Sequence, residues 1–219
     1  MAIVIICVKG NREIKRNRMR VSKVKAAQNR ELILAAASRL FREQGIAATG
    51  VDSITGAAGL THGGLYSQFG SKEAIAAEAI RFASARSKRR WQRIAQRSGR
   101  GLTFPAIVDG YLTPAHRDAP GQGCAVAALA TEIARQPKTV RKAFTNEFKG
   151  TLEFLAKQMP GRSSSRRLES AAAAFSCMVG ALILSRAVTD NALSELILNS
   201  AARRTLELAK PIRRMRRSA

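Results

Sequence analysis

The run Arg30–Ile80, RELILAAASRLFREQGIAATGVDSITGAAGLTHGGLYSQFGSKEAIAAEAI, decides the fold. Its first third sets Ile33, Ala36, Ala37, Leu40 and Phe41 at i, i+3, i+4, i+7 and i+8, with Arg30, Glu31, Arg39, Arg42 and Glu43 left for water. That spacing predicts an amphipathic helix from about Ala26, stopped at Gly45 as by a left-handed C-cap. Residues 51–58 predict a helix too short to stand alone, with Val51, Ile54 and Ala58 on one side. After Gly59 and Leu60, Thr61 suits an N-cap, and a second short helix reaches Phe69 with Leu65 at i−4. Gly70 ends it and Ser71 caps a longer helix from Lys72 through Ile75, Ala79 and Phe82 as far as Arg97. Two short helices joined by a glycine turn between longer ones make a helix-turn-helix, whose second helix can enter a major groove. Ile54 and Leu65 pack the pair, Gly59 supplies the positive φ of the turn, and Leu60 plugs the core beneath it.

Outward from this run the pattern stays helical. Phe104, Ile107, Val108, Tyr111 and Leu112 predict a helix over 102–112, and the prolines and glycines of 113–123 predict a loop. Helices follow at 124–135 and 139–158, then a Gly/Ser/Arg linker at 160–166. The last two helices carry Leu168, Ala172, Phe175, Met178, Val179, Leu182 and Ile183, then Leu193, Leu196, Ile197, Ala201 and Leu208. Both stripes are wider than one neighbour needs, which points to a second subunit, with Leu182 and Ile197 as partner-facing positions. The apolar stretch 170–185 is too short for a bilayer and reads as a buried core helix, and residues 2–8 fall short of a signal peptide. The fold class is therefore all-α, with a helix-turn-helix domain at 26–72 and a helical domain at 73–210. A basic flexible arm at 1–25 and a basic tail at 211–219 flank them. Met19 offers an alternative start that would leave residues 1–18 outside the native protein.

Composition agrees. With 219 residues, 46% hydrophobic, 24% charged and 5% aromatic, the chain can bury a substantial core and is not disordered. Its net charge of +23 asks for a polyanionic partner. The excess is even, eight, eight and seven charges over residues 1–72, 73–160 and 161–219, so the whole protein is basic rather than a neutral body with a tail. Cys7, Cys124 and Cys177 are too scattered for a disulfide framework or a metal site, which suits a reducing cytoplasmic setting. With only His62 and His116 and no phosphate loop or nucleophile motif, neither a catalytic residue nor a cofactor nor a metal is expected. The chain reads as no enzyme.

The residues Arg30–Ile80 closely resemble the N-terminal domain of TetR-family (tetracycline-repressor-like) transcriptional regulators. The IL-x-A-A-x-x-L-F run, the Gly-Ile-x-x-Thr lead-in, the AGL turn, the L-Y-x-x-F recognition helix and the F-x-S-K-E start of the fourth helix match in order and spacing. The rest resembles the family in layout alone. The resemblance implies a cytoplasmic homodimer, paired through the last two helices, that binds a pseudo-palindromic double-stranded DNA operator and is released by a small-molecule effector in the C-terminal domain. It implies phosphate contact at Thr49, Tyr66 and Lys72, and proximity to bases or phosphates at Thr61, His62, Gly64 and Ser67, with Arg30 and the arm adding phosphate contacts. Hydroxyl and ammonium groups at helix N-termini suit phosphates.

The sequence departs from the family at Gly50, where a capping hydroxyl is usual, at Thr55 and Gly56 inside the second helix, and at Gly63 and Gly64, which leave few side chains to read bases. Trp91, Cys124, Phe144, Phe148 and Met178 are candidates for the effector pocket, each also at home as plain core; His116 reads as a loop residue or cap. The competing function is a sequence-independent, architectural DNA binder without effector, marked by steep salt dependence.

Overall fold

The computed structural model describes residues 3–99, 101–161 and 163–208, with the side chains of residues 3–21 and His62 outside the description. The tail at 211–219 lies outside it too. The described chain is helical without strands. Helix α1 spans Ile3–Gln44, α2 Val51–Ala58, α3 His62–Phe69 and α4 Lys72–Arg97. Then come α5 (Thr103–Tyr111), α6 (Pro114–Asp118), a 3-10 turn at Pro120–Gln122, α7 (Ala125–Ile133), α8 (Lys138–Ala156), α9 (Ser164–Ala187) and α10 (Asn191–Leu208).

Two expectations are corrected. Helix α1 begins at Ile3 rather than near Ala26, so the arm at 1–25 is not set off from the helix. Between Gly10 and Gln44 there is neither proline nor glycine, and the Lys, Arg and Gln that fill it are good helix formers even without an apolar stripe. The segment 113–123 is not an open loop: Thr113 accepts a bond from the His116 N–H at 3.1 Å, Pro114 takes the first helical position, and α6 results.

Two cores organise the molecule. In the first, Ile33, Ala37 and Phe41 of α1 meet Ile54, Leu65, Ile75 and Ile80, closed from the C-terminal side by Leu129, Ile133 and Val140. The expected division at residue 72 therefore falls inside a shared structure: the first half of α4 belongs to this core and Trp91, near its end, to the second. The second core joins Phe104, Ile107, Tyr111, Leu155, Phe175, Met178 and Leu182. By length and apolarity α9 could cross a bilayer, yet Ala171, Ala174, Phe175, Met178 and Leu182 are buried against its neighbours. Leu182, expected to face a partner, is fully buried. The outward leucines of this pair are Leu168 and Leu184 on α9 and Leu193, Leu196 and Leu208 on α10.

Candidate nucleic-acid interface

The helix-turn-helix is built as its residues demand. Ile54 and Leu65 are both fully buried between α2 and α3. Gly59 turns the chain at φ 65° and ψ 34°, a left-handed geometry in which the Leu60 N–H reaches the Thr55 carbonyl at 2.9 Å. Gly50 precedes α2 with no side-chain cap, while the buried Thr55 hydroxyl returns its bond to the Val51 carbonyl, so this hydroxyl is satisfied inside its own helix.

Helix α3 presents Thr61, Gly63, Tyr66 and Ser67 to solvent, with Gly64 half-buried. Thr61 holds the N-cap position in extended conformation but makes no capping bond. The Ser67 hydroxyl donates to the Gly64 carbonyl at 3.1 Å. The backbone of His62 starts the helix, and its side chain lies outside the described residues. Lys72, at the first turn of α4, reaches back to the Ala47 carbonyl at 3.1 Å, so its ammonium group sits beside the loop leading into α2.

Two expected phosphate contacts are corrected. Thr49 has no exposed surface, and its hydroxyl donates to the Gly45 carbonyl at 2.6 Å. A side chain that closes the turn after α1 is not available to DNA. Arg30 is engaged as well: it donates to the Gln68 carbonyl at 2.9 Å, pairs with Glu78, and lies 4.2 Å over the Phe69 ring. It clamps the end of α3 between α1 and α4.

The helix-turn-helix is tied to the C-terminal domain at two points the sequence did not reveal. The Glu132 carboxylate of α7 accepts the Ile46 and Ala47 N–H groups at 2.8 and 2.6 Å. Gly45 at φ 89° brings the chain so close that a Cβ there would stand 2.9 Å from that carboxylate. Buried Arg42 donates to Ser38 and, through Nε and Nη2, to the Gly121 carbonyl of the 3-10 turn. Burial, and then the charge of Arg86, push its guanidinium down to about 10.

Behind Arg42 a cavity of about 320 Å³ opens between α4, α6, the 3-10 turn, α7 and α9. Of the five expected pocket residues, Trp91 and Cys124 line it. Phe144 instead packs against the first core and stacks on Phe148 at 5.9 Å, Phe148 packs on the second core, and Met178 is sealed inside it. Helical spacing marks all three as inward, and only tertiary packing separates a filled interior from a hollow one. His116 also lines the cavity, buried rather than in an exposed loop. Its Nδ1–H donates to the Tyr111 carbonyl at 2.7 Å and its Nε2 accepts the Cys124 N–H at 3.0 Å. Because one partner can only accept and the other only donate, the ring is neutral with its proton on Nδ1. Burial depresses its pKa, and the charges of Arg186 and Arg90 add to the shift. Among the described residues no cluster of His, Cys, Asp and Glu could hold a metal ion.

Residues 33–79 match the sequence model of the bacterial regulatory proteins of the tetR family. The match spans the helix-turn-helix with the adjoining parts of α1 and α4. Over those residues the chain is similar to the DNA-binding segment of bacterial regulatory proteins. Solved structures of similar fold include NemR of E. coli in its reduced form, with TM-score 0.70 and 19% identity over 84% of this chain and 98% of that one. A TetR-family regulator from Agrobacterium tumefaciens gives 0.70 and 17% over 85% and 100%. One from Chloroflexus aurantiacus gives 0.66 and 23% over 84% and 96%. At these identities the likeness is one of fold. No functionally curated protein is similar in sequence.

Proposed function

We propose that this protein is a repressor of the TetR family. Two copies pair through α9 and α10, set their α3 helices into successive major grooves of a pseudo-palindromic operator, and let go when a small molecule enters the C-terminal cavity. Tyr66 and Lys72 hold phosphates. Thr61, His62, Gly64 and Ser67 lie against bases or backbone, and the small residues of α3 leave recognition dependent on shape as well as on hydrogen bonds. Leu184, Leu193 and Leu196 supply the apolar face that a second copy would cover.

The observation that carries the reading is the Arg42 contact. Its guanidinium lies in the cavity wall while its bonds to Gly121 hold the last turn of α1 to the C-terminal domain. A ligand that draws on that arginine favours one placement of the helix-turn-helix over another, which is all that coupling between two sites requires. The test is footprinting on the DNA flanking the protein's own gene, at about 0.15 M salt with excess non-specific competitor. A discrete protected pseudo-palindrome is expected. Uniform coverage that disappears with competitor would overturn the reading in favour of an architectural DNA binder.

A further inference from the structure

The cavity's chemistry is lopsided. Arg42, Arg86, Arg90 and Arg93 all line it, and no aspartate or glutamate does. Three of them follow one another at i, i+4 and i+7 on α4, so they share a face of that helix. Like charges gathered along the edge of a cavity repel one another and are stabilised by a bound anion.

Two further observations point the same way. The start of α7, with Cys124 at the N-cap and Ala125 and Val126 in the first turn, forms part of the wall with no side-chain cap and no acid in it, so the partial positive charge of a helix N-terminus borders the cavity. The Tyr111 hydroxyl, also in the wall, is buried with no oxygen or nitrogen partner, its one hydrogen-bond contact being the Cys124 thiol, a weak acceptor. A buried hydroxyl in that position is a binding group in want of an acceptor. The lining also has an apolar part, where Trp91 and Phe175 pack edge to face at 5.9 Å.

We infer that the cavity binds a small organic acid, its carboxylate held by Arg86 and Arg90, its apolar body against Trp91 and Phe175, with the Tyr111 hydroxyl donating to it. The inference deepens the repressor reading by naming the chemical class of the effector, and it rests on that reading only for the consequence of binding. Charge neutralisation at Arg86 also removes the repulsion felt by Arg42, which connects occupancy of the site to the α1 anchor.

Trp91 is the chain's one tryptophan and stands in the wall, so its fluorescence reports occupancy directly. Full-length protein is titrated with benzoate, 3-phenylpropanoate and octanoate and with the primary amide of each, by fluorescence and by calorimetry. At least one acid is expected to saturate and to bind roughly tenfold or more tightly than its amide, the difference between a charged and a neutral hydrogen-bonded contact. Arg86→Gln combined with Arg90→Gln should erase that preference, and the corresponding pair of lysines should restore part of it. Both arginines are exposed on α4, so circular dichroism of the glutamine pair should match the parent. Tyr111→Phe should weaken acid binding several-fold and amide binding by less, since the bond to a carboxylate is the stronger. Equal affinity for acid and amide, a preference that survives the double substitution, or no saturable binding of any of the three acids at millimolar concentration would overturn the inference. Operator affinity is measured separately: an acid that binds with the expected preference but leaves DNA binding unchanged supports the site and overturns the release mechanism.

Discussion

Arg30 in the N-terminal domain and the arginines of α4 carry the same charge and are treated in opposite ways. Arg30 is consumed by its surroundings, with Glu78, the Gln68 carbonyl and the Phe69 ring around its guanidinium. Arg86, Arg90 and Arg93 face a cavity that offers them no carboxylate. A paired arginine positions a structure, here the end of α3; a gathered set without a carboxylate, in which Arg90 holds only the Gly110 carbonyl at 3.2 Å, is left to position a ligand. Net charge alone cannot make this distinction, which is why +23 spread evenly along the chain supports an architectural DNA binder as readily as a regulator. Arg42 sits between the two cases, hydrogen-bonded to neutral groups, yet in the wall of the charged cavity.

The same contrast between satisfied and unsatisfied groups applies to apolar surface, and it yields the largest expected effect. Leu182→Asp should cost at least about 4 kcal/mol, because a carboxylate would be buried without a partner. Leu196→Asp, at a position 57% exposed, should leave the protomer within about 0.5 kcal/mol of the parent and yield monomers. Sedimentation together with urea unfolding separates the two, and an unchanged dimer in Leu196→Asp would remove the α9–α10 interface. Next in size, Arg42→Met should cost about 2–3 kcal/mol by orphaning the Gly121 carbonyl, and should abolish the effect of any ligand on DNA affinity. Arg30→Met should cost about 1–2 kcal/mol, since its pair with Glu78 is partly exposed and screened. It should lower affinity for every DNA sequence alike by loosening α3. Arg86→Gln should change stability by no more than about 0.5 kcal/mol, and a larger loss there would break the distinction between the two arginine sets. Finer still, Lys72→Ala should lower the slope of log affinity against log salt by about one unit without altering base preference.

How much of this was legible in the sequence follows from how local each feature is. The bounds of α2, α3 and α4 are set by Gly50, Gly59, Gly70 and Ser71 acting on their immediate neighbours, and the expected elements coincide with the observed ones. Thr49 was misplaced because a threonine between a helix and a loop can serve either surface, and the choice is made by the Gly45 carbonyl four residues back. Phe144, Phe148 and Met178 were inward as expected, but which inward residues border empty space depends on α8 and α9 meeting α4, a contact the sequence does not display. One signal was there to be used. No acid occurs between Glu78 and Asp109, and Arg86, Arg90 and Arg93 recur at helical spacing within that gap. A basic stripe on a helix whose other face is core differs from a solvated charge run, because there is a wall behind it.

His116 gives the smallest of these effects and tests whether the cavity wall is built as described. Its ring must be neutral to accept the Cys124 N–H, and burial together with Arg186 and Arg90 holds its pKa below the ordinary value of 6.5. Over the interval between that value and the depressed one, the unfolded chain binds a proton that the folded chain does not, so folding is penalised as the solution is acidified. Stability from this group is complete above pH 6.5, falls as the pH drops toward the folded value, and is level below it. The carboxylates held low, Asp118 by Arg117 and Glu73 by backbone N–H and Ser71, titrate in a more acidic range and do not obscure the window. Urea midpoints measured from pH 7 downward should decline in the parent and stay flat in His116→Gln until the carboxylates begin to protonate. Parallel curves would mean that the imidazole titrates alike in both states, and the link it makes between Tyr111 and the start of α7 would have to be withdrawn.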